Sequence, residues 1–185
     1  MTKFLVTGAA GFLGFALAAR LSENASDEVV AVDNFIRGEC DEAYNALSAR
    51  PNVLSVDADL NDLQTLCALP TDIEVIFHLA ALNGTQNFYK RPFDVVRCCT
   101  LPTMNLLEFY GRTKQVTRFV YASSSEAYAS AVSKFSWQVP TDESVPLVID
   151  DVSNIRWSYG GSKLHGEIAV KGLSLSFRHD QHVVG

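Results

Sequence analysis

Thr7-Gly8-Ala9-Ala10-Gly11-Phe12-Leu13-Gly14 follows the apolar run Phe4-Leu5-Val6 near the start of the chain. Three glycines at this spacing, between a strand-like run and a helix-like one, form the turn that holds a dinucleotide pyrophosphate. Gly8 permits the tight turn, Gly11 lets the phosphates approach the backbone, and Gly14 lets the helix pack closely on the strand. The amides of Phe12 and Leu13, at the positive end of that helix, are expected to face the phosphates. A second apolar run ends at Asp33, 19 positions after Gly14, with Asn34 beside it. A carboxylate there accepts bonds from the adenosine ribose hydroxyls and repels a 2′-phosphate, which favours NAD over NADP. Arg37 pulls the other way, since a guanidinium nearby welcomes a phosphate.

Outward from this turn, short apolar runs alternate with amphipathic stretches. Strands are expected over residues 4–7, 29–33, 53–57, 75–79, 118–123 and 173–177, and helices over 12–22, 62–68, 92–110 and 158–171. This alternation predicts an α/β fold: a Rossmann-type, doubly wound parallel sheet with helices on both faces. Residues 129–155, rich in Ser, Pro and Asp, are expected to form a long loop overhanging the site. The chain has 185 residues, 48% of them hydrophobic, enough for one domain with a real core. Its formal charge of −6 disfavours nonspecific nucleic-acid binding. No apolar run approaches the roughly 18 residues of a membrane span. Met1-Thr2-Lys3 enters the first strand directly, with no leader-like segment. Cys40, Cys67, Cys98 and Cys99 lack metal-ligand spacing and read as reduced thiols, so a cytoplasmic setting is expected and no metal.

The second informative stretch is Tyr159-Gly160-Gly161-Ser162-Lys163. Four positions apart on a helix, a phenol and an ammonium share one face. A neighbouring positive charge favours phenolate, so Tyr159 becomes a candidate general base and Lys163 a partner for the nicotinamide ribose. Between the two motifs lies Ala122-Ser123-Ser124-Ser125-Glu126-Ala127-Tyr128, at the carboxyl end of the fifth run, where ligands bind in open α/β sheets. Glu126 reads equally as a second acid/base or as a solvated loop carboxylate. Asp59-Leu60 either borders the adenine or caps the next helix. In His78-Leu79-Ala80-Ala81 the small residues let the cofactor lie against the backbone, with Leu79, Ala80 and Ala81 as the expected contacts, and His78 reads as a packed strand histidine.

These pieces, TGAAGFLG, VDNF, DADL, FHLAA, ASSSEAY and YGGSK, stand in one order across nearly the whole chain. In that order the chain resembles the extended short-chain dehydrogenase/reductases, specifically the NAD-dependent nucleotide-sugar epimerase/dehydratase group. The resemblance implies tightly held NAD and transient oxidation of a sugar hydroxyl, followed by epimerisation, dehydration or decarboxylation. It matches Ser124 to the catalytic Ser/Thr, with Ser125 the rival, and Tyr159 and Lys163 to the tyrosine and lysine. Glu126 stands where dehydratases and uronate decarboxylases carry a functional glutamate. Ile155-Arg156-Trp157-Ser158-Tyr159 resembles the lead-in of UDP-glucuronate decarboxylases. A homodimer through residues 92–110 and 158–171 is implied as well.

Three departures qualify the resemblance. Residues 1–185 correspond to the NAD-binding domain alone, without the family's C-terminal sugar-binding lobe. The second helix is short before Arg178, the arginine matched to the sixth strand's approach. Cys99 replaces an Asn, and Pro102 follows inside the same helix, where proline costs about 3 kcal/mol and kinks the backbone. The leading expectation is therefore a nucleotide-sugar enzyme. A uronate decarboxylase or a non-catalytic NAD-binding module is the alternative.

Overall fold

A computed structural model describes residues 1–177 and 180–184, with side chains through Leu173. Six strands, β1 (Lys3–Thr7), β2 (Glu28–Asp33), β3 (Val53–Asp57), β4 (Val75–His78), β5 (Arg118–Ala122) and β6 (Asp180–Val184), form one sheet in the order 3-2-1-4-5-6. Every pairing is parallel. The helices are α1 (Phe12–Leu21), α2 (Glu42–Ser48), α3 (Leu63–Leu66), α4 (Thr85–Lys90), α5 (Pro92–Gly111), α6 (Glu126–Ala129) and α7 (Ser158–Phe177), with a 3-10 turn over Ile155–Trp157. This is the doubly wound sheet that the alternating runs predict.

Strand periodicity assigns the two faces. Leu5, Val30, Val32, Ile76, Phe119 and Tyr121 point to a core shared with Leu106, Leu107 and Tyr110 of α5 and Val170 of α7. Their neighbours Val6, Val29 and Ala31 point the opposite way, onto Ala18 of α1 and Tyr44 and Leu47 of α2. Strands buried on both faces need apolar residues at successive positions, and β1 and β2 have them.

The structure corrects three expectations. Residues 173–177 are the last turns of α7, and the sixth strand begins at Asp180. Leu173 packs against the α5 side of the core, a contact that helical phase supplies; an apolar run this short does not by itself separate strand from buried helix. Arg178 lies outside the described residues. Pro102 does not break α5, which runs unbroken over 20 residues with Pro102 buried inside it. Residues 129–155 do not overhang the cleft. They fold back on α6, where the Val148 amide donates to the Ala127 carbonyl and Ser130 Oγ donates to the Val148 carbonyl. Ile149 comes to rest beside Gly161 of α7. Helices α2 and α4 were not evident from periodicity; Asp41 starts α2 by accepting the Tyr44 amide at 2.8 Å.

A buried polar chain ties three of these elements together. The Ala80 amide donates to Thr7 Oγ1 at 3.2 Å. Thr7 Oγ1 meets His78 Nδ1 at 2.7 Å, and His78 Nε2 meets Thr103 Oγ1 at 3.0 Å. Thr103 Oγ1 in turn donates to the Cys99 carbonyl at 3.2 Å. Each hydroxyl has one proton, so the chain is satisfied by a neutral imidazole that accepts at Nδ1 and donates from Nε2. Burial pushes His78 down to about 3, with the Lys163 charge adding to it. An unfolded His78 binds its proton below about 6.5, whereas the folded one resists until near 3. The unfolded state therefore holds more protons within that window, and stability falls as pH drops through it. Acid titration of unfolding free energy should show the wild type losing stability between these limits relative to His78→Gln, which cannot titrate.

Candidate functional site

A cleft of about 510 Å³ opens at the carboxyl ends of the strands, lined from the glycine turn to Tyr159 and Lys163. At its phosphate end Gly8 has φ +71°, and a Cβ there would lie 2.9 Å from the Ala80 amide nitrogen. The Gly11 amide closes the turn on the Gly8 carbonyl at 3.0 Å. A Cβ on Gly14 would sit 2.0 Å from that same carbonyl, so only glycine lets α1 approach β1 this closely. Gly11 caps α1 without a side chain, leaving the first-turn amides open to an anion.

Asp33 stands at the end of β2. One carboxylate oxygen accepts from the Ala10 amide and the other from the Phe35 amide, both at 2.9 Å. The carboxylate is thereby locked against the glycine turn while each oxygen keeps a free lone pair. Phe35 takes φ +53°, which turns the following residues back over the turn, and Gly38 packs on Ala10. Arg37 reaches across the cleft, where Nη1 donates to the Asn83 carbonyl at 2.7 Å. Its partner is thus the loop after β4 and not Asp33. Farther along, Asp59, Asn61 and Cys98 line the wall, and Asn61 Nδ2 points at Cys98 Sγ at 3.7 Å. Asp59 does not cap a helix. It accepts from the Asn61 amide at 3.0 Å, while Asp62 caps α3.

The Tyr159 end of the cleft is dry. Tyr159 and Lys163 are 8% and 2% exposed. Lys163 Nζ donates to the Ala122 carbonyl at 2.7 Å and lies 5.4 Å from the Tyr159 ring centre. Burial pushes Lys163 down to about 8. Burial also pushes Tyr159 up to about 12, with Cys99 and Glu126 adding to it and Arg37 opposing. Among the residues themselves, then, the ammonium does not lower the phenol as spacing suggests. Dehydration outweighs it, because the same apolar wall of Leu82, Phe88, Val95 and Cys99 that places the ring also removes its water.

A profile of the NAD dependent epimerase/dehydratase family matches residues 4–180. The chain belongs to this family. It is 29% identical over 173 residues to a UDP-N-acetyl-alpha-D-glucosaminuronate decarboxylase of Bacillus cytotoxicus, covering 94% of this chain and 50% of that protein. Among solved structures, the UDP-Glc/GlcNAc 4-epimerase of Campylobacter jejuni superposes with TM-score 0.82 at 25% identity, covering 99% of this chain and 52% of that one. UDP-glucuronic acid 4-epimerase of Bacillus cereus, solved with UDP-glucuronic acid and NAD, gives TM-score 0.78 at 27% identity, covering 98% and 55%. The chain thus spans about half the length of such relatives. The family's cofactor is NAD.

Most family positions read from sequence converge on the cleft. Gly8, Gly11, Leu13, Gly14, Asp33, Asn34, Asp59, Leu79, Ala80, Ala81, Tyr159 and Lys163 all line it. Four expected site residues do not. Phe12 is 92% exposed, leaving only its amide for an anion. Leu60 points into the core and offers its carbonyl to Asn105 Nδ2 at 2.8 Å. Ser124 and Glu126 lie just beyond the lining, which reaches the serine run at Ala122 and Ser123; Ser123 Oγ donates to Glu167 on α7. Sequence reading missed Ile36, Gly38, Asn61, Asn83, Arg91, Asp94, Arg97 and Cys98, which also line the cleft. They come from loops and from one face of α5, and only their proximity in space marks them.

Proposed function

We propose that these residues are the cofactor-binding and proton-transfer half of an NAD-dependent enzyme that transiently oxidises a hydroxyl of a nucleotide-linked sugar. The observation that carries the reading is the cleft joining a glycine cradle, which tolerates no Cβ at Gly14, to a dry Tyr159–Lys163 pair. The cradle fits a dinucleotide: the α1 amides suit its pyrophosphate, Asp33 with Asn34 suits the adenosine ribose, and Leu79–Ala81 gives a flat wall for the nicotinamide half. Bound NAD supplies the hydride acceptor and a positive charge beside Tyr159. Tyr159 takes the proton of the sugar hydroxyl, and Ser124 bonds the same oxygen. Lys163 holds its proton close to neutral pH and bonds the nicotinamide ribose.

The fate of the oxidised sugar divides the family. A uronate decarboxylase and 4-epimerases both stand among the relatives. We place the chain with the epimerases and dehydratases, and a uronate decarboxylase is the second reading, favoured by the Bacillus cytotoxicus relative. A non-catalytic NAD-binding module is the competing class, and it gives no reason for a Tyr159–Lys163 pair at the end of the cleft. We further infer a homodimer. Phe93, Val96 and Met104 on α5 and Ile168 on α7 are all exposed on two helices that pack side by side.

NAD should bind more tightly than NADP in parallel calorimetric titrations, and Asp33→Ala should weaken NAD and erase the preference; tighter NADP binding by the wild type would sink the assignment of Asp33. With NAD and a UDP-hexose, Tyr159→Phe should lose hydride transfer while keeping NAD affinity, and Lys163→Ala should damage both. Ser124→Ala should slow the step about 10²–10⁴-fold, the range of a positioned proton-transfer group. If Ser123→Ala or Ser125→Ala is the damaging change, the register in the serine run is wrong. A Tyr159→Phe protein that still reduces NAD would overturn the role of Tyr159, and a wild type that binds NAD but reduces it with no UDP-hexose would favour the binding module. Light scattering at tens of micromolar should give twice the chain mass, falling to one chain mass for Met104→Glu/Ile168→Glu.

A further inference from the structure

Glu126 and Arg156 meet across 30 positions of sequence in two hydrogen bonds, Nη1 to Oε2 and Nη2 to Oε1, each 2.7 Å. Their side chains are only 25% and 24% exposed. A guanidinium fork on both oxygens of a carboxylate sets orientation as well as charge. Arg156 continues beyond the pair. Its guanidinium carbon lies 4.9 Å from the centre of the Phe88 ring and 5.0 Å from that of Trp157. Phe88 in turn stacks on Tyr159, with centroids 5.3 Å apart and planes 21° from parallel.

The backbone of Glu126 reaches the same residues from the other side. Its amide donates to Ser124 Oγ at 3.2 Å. A Cβ on Gly160 would come within 2.3 Å of its carbonyl oxygen, so the first turn of α7 rests directly on it. One residue therefore contacts Ser124 through its amide and the neighbour of Tyr159 through its carbonyl. Through its carboxylate and Arg156 it contacts the ring that stacks on Tyr159. A general base must aim a lone pair at the substrate, whereas the Arg156 fork fixes both oxygens of Glu126 and Glu126 does not line the cleft.

We propose that Glu126 and Arg156 are a positioning pair that holds Ser124 and Tyr159 in register, and that Glu126 takes no proton in the reaction. The proposal rests on the functional reading given above and narrows it. A dehydration that uses Glu126 as its base does not fit this pairing, whereas the oxidation step needs only Ser124, Tyr159 and Lys163 with the cofactor.

A double-variant cycle on the NAD-loaded chain tests it, with Glu126→Gln, Arg156→Gln, both together, the conservative Arg156→Lys, and Tyr159→Phe as the control. In single turnover with UDP-glucose or UDP-glucuronate, read as reduced nicotinamide absorbance, the two single variants should each slow hydride transfer about 10- to 100-fold, the scale of a small misplacement of reacting groups. The double variant should be no slower than the worse single, because one shared device is lost once. Arg156→Lys should recover part of the rate. If Glu126→Gln is far worse than Arg156→Gln and the losses multiply, Glu126 acts on the substrate itself and the proposal falls. A second readout needs no substrate: carbon-13 tyrosine resonances of the chain, with Tyr159 assigned from Tyr159→Phe. The Tyr159 titration should move to lower pH in Glu126→Gln and to higher pH in Arg156→Gln, since Cys99, Arg37 and Lys163 around it are untouched. A Tyr159 resonance and titration unaltered in Arg156→Gln would overturn the positioning role. Should no sugar reduce NAD, the enzyme reading fails, and should Tyr159→Phe still do so, the proton-transfer role of Tyr159 fails, while in either case the resonances still judge the pair.

Discussion

The Gly8 carbonyl oxygen occupies the place that a side chain on residue 14 would need, 2.0 Å from an ideal Cβ. That contact sets how closely α1 lies on β1, and much of the site inherits its geometry. With α1 this close, the Ala10 amide reaches Asp33 at the end of β2, and Ala80 closes on Gly8 from β4. Three strand ends are thereby drawn around one turn of backbone whose amides face a common space. A methyl group at residue 14 must push either the helix or the turn aside, and each displacement opens the cradle.

At the other end of the cleft the governing constraint is dehydration. Lys163 and Tyr159 sit against Leu82, Phe88, Val95 and Cys99, and burial drives their proton affinities apart, the lysine down to about 8 and the tyrosine up to about 12. Each group's neutral form is favoured by the same cause. His78 shows the contrasting solution: buried just as deeply, it is satisfied by two threonines and carries no charge.

Charge is spent differently around the rim. Arg37 is tied to a backbone carbonyl and Arg156 to a carboxylate, so neither guanidinium is free to attract anions at random. Both serve as cross-braces, one between the loops after β2 and β4, the other between α6 and the approach to α7. The second brace explains why Arg156 and Glu126 belong together although a long loop separates them.

Local rules sufficed for the first five strands, the glycine turn and half of the cleft lining. Gly8, Gly11, Gly14 and Asp33 are legible because their work depends on backbone conformation and on strand ends, both of which follow from nearby sequence. Pairs on one helix, such as Tyr159 and Lys163, are legible from helical spacing alone. Residues 173–177 misled because a short apolar run has the same appearance in a strand and in a helix packed on a core, and only the contact of Leu173 with the α5 side decided between them. The state of Tyr159, the tie between Glu126 and Arg156 and the presence of Asn61 and Cys98 in the cleft were decided by tertiary structure. Each depends on which groups meet across 30 or more positions and on how much water they exclude, quantities that local sequence does not carry.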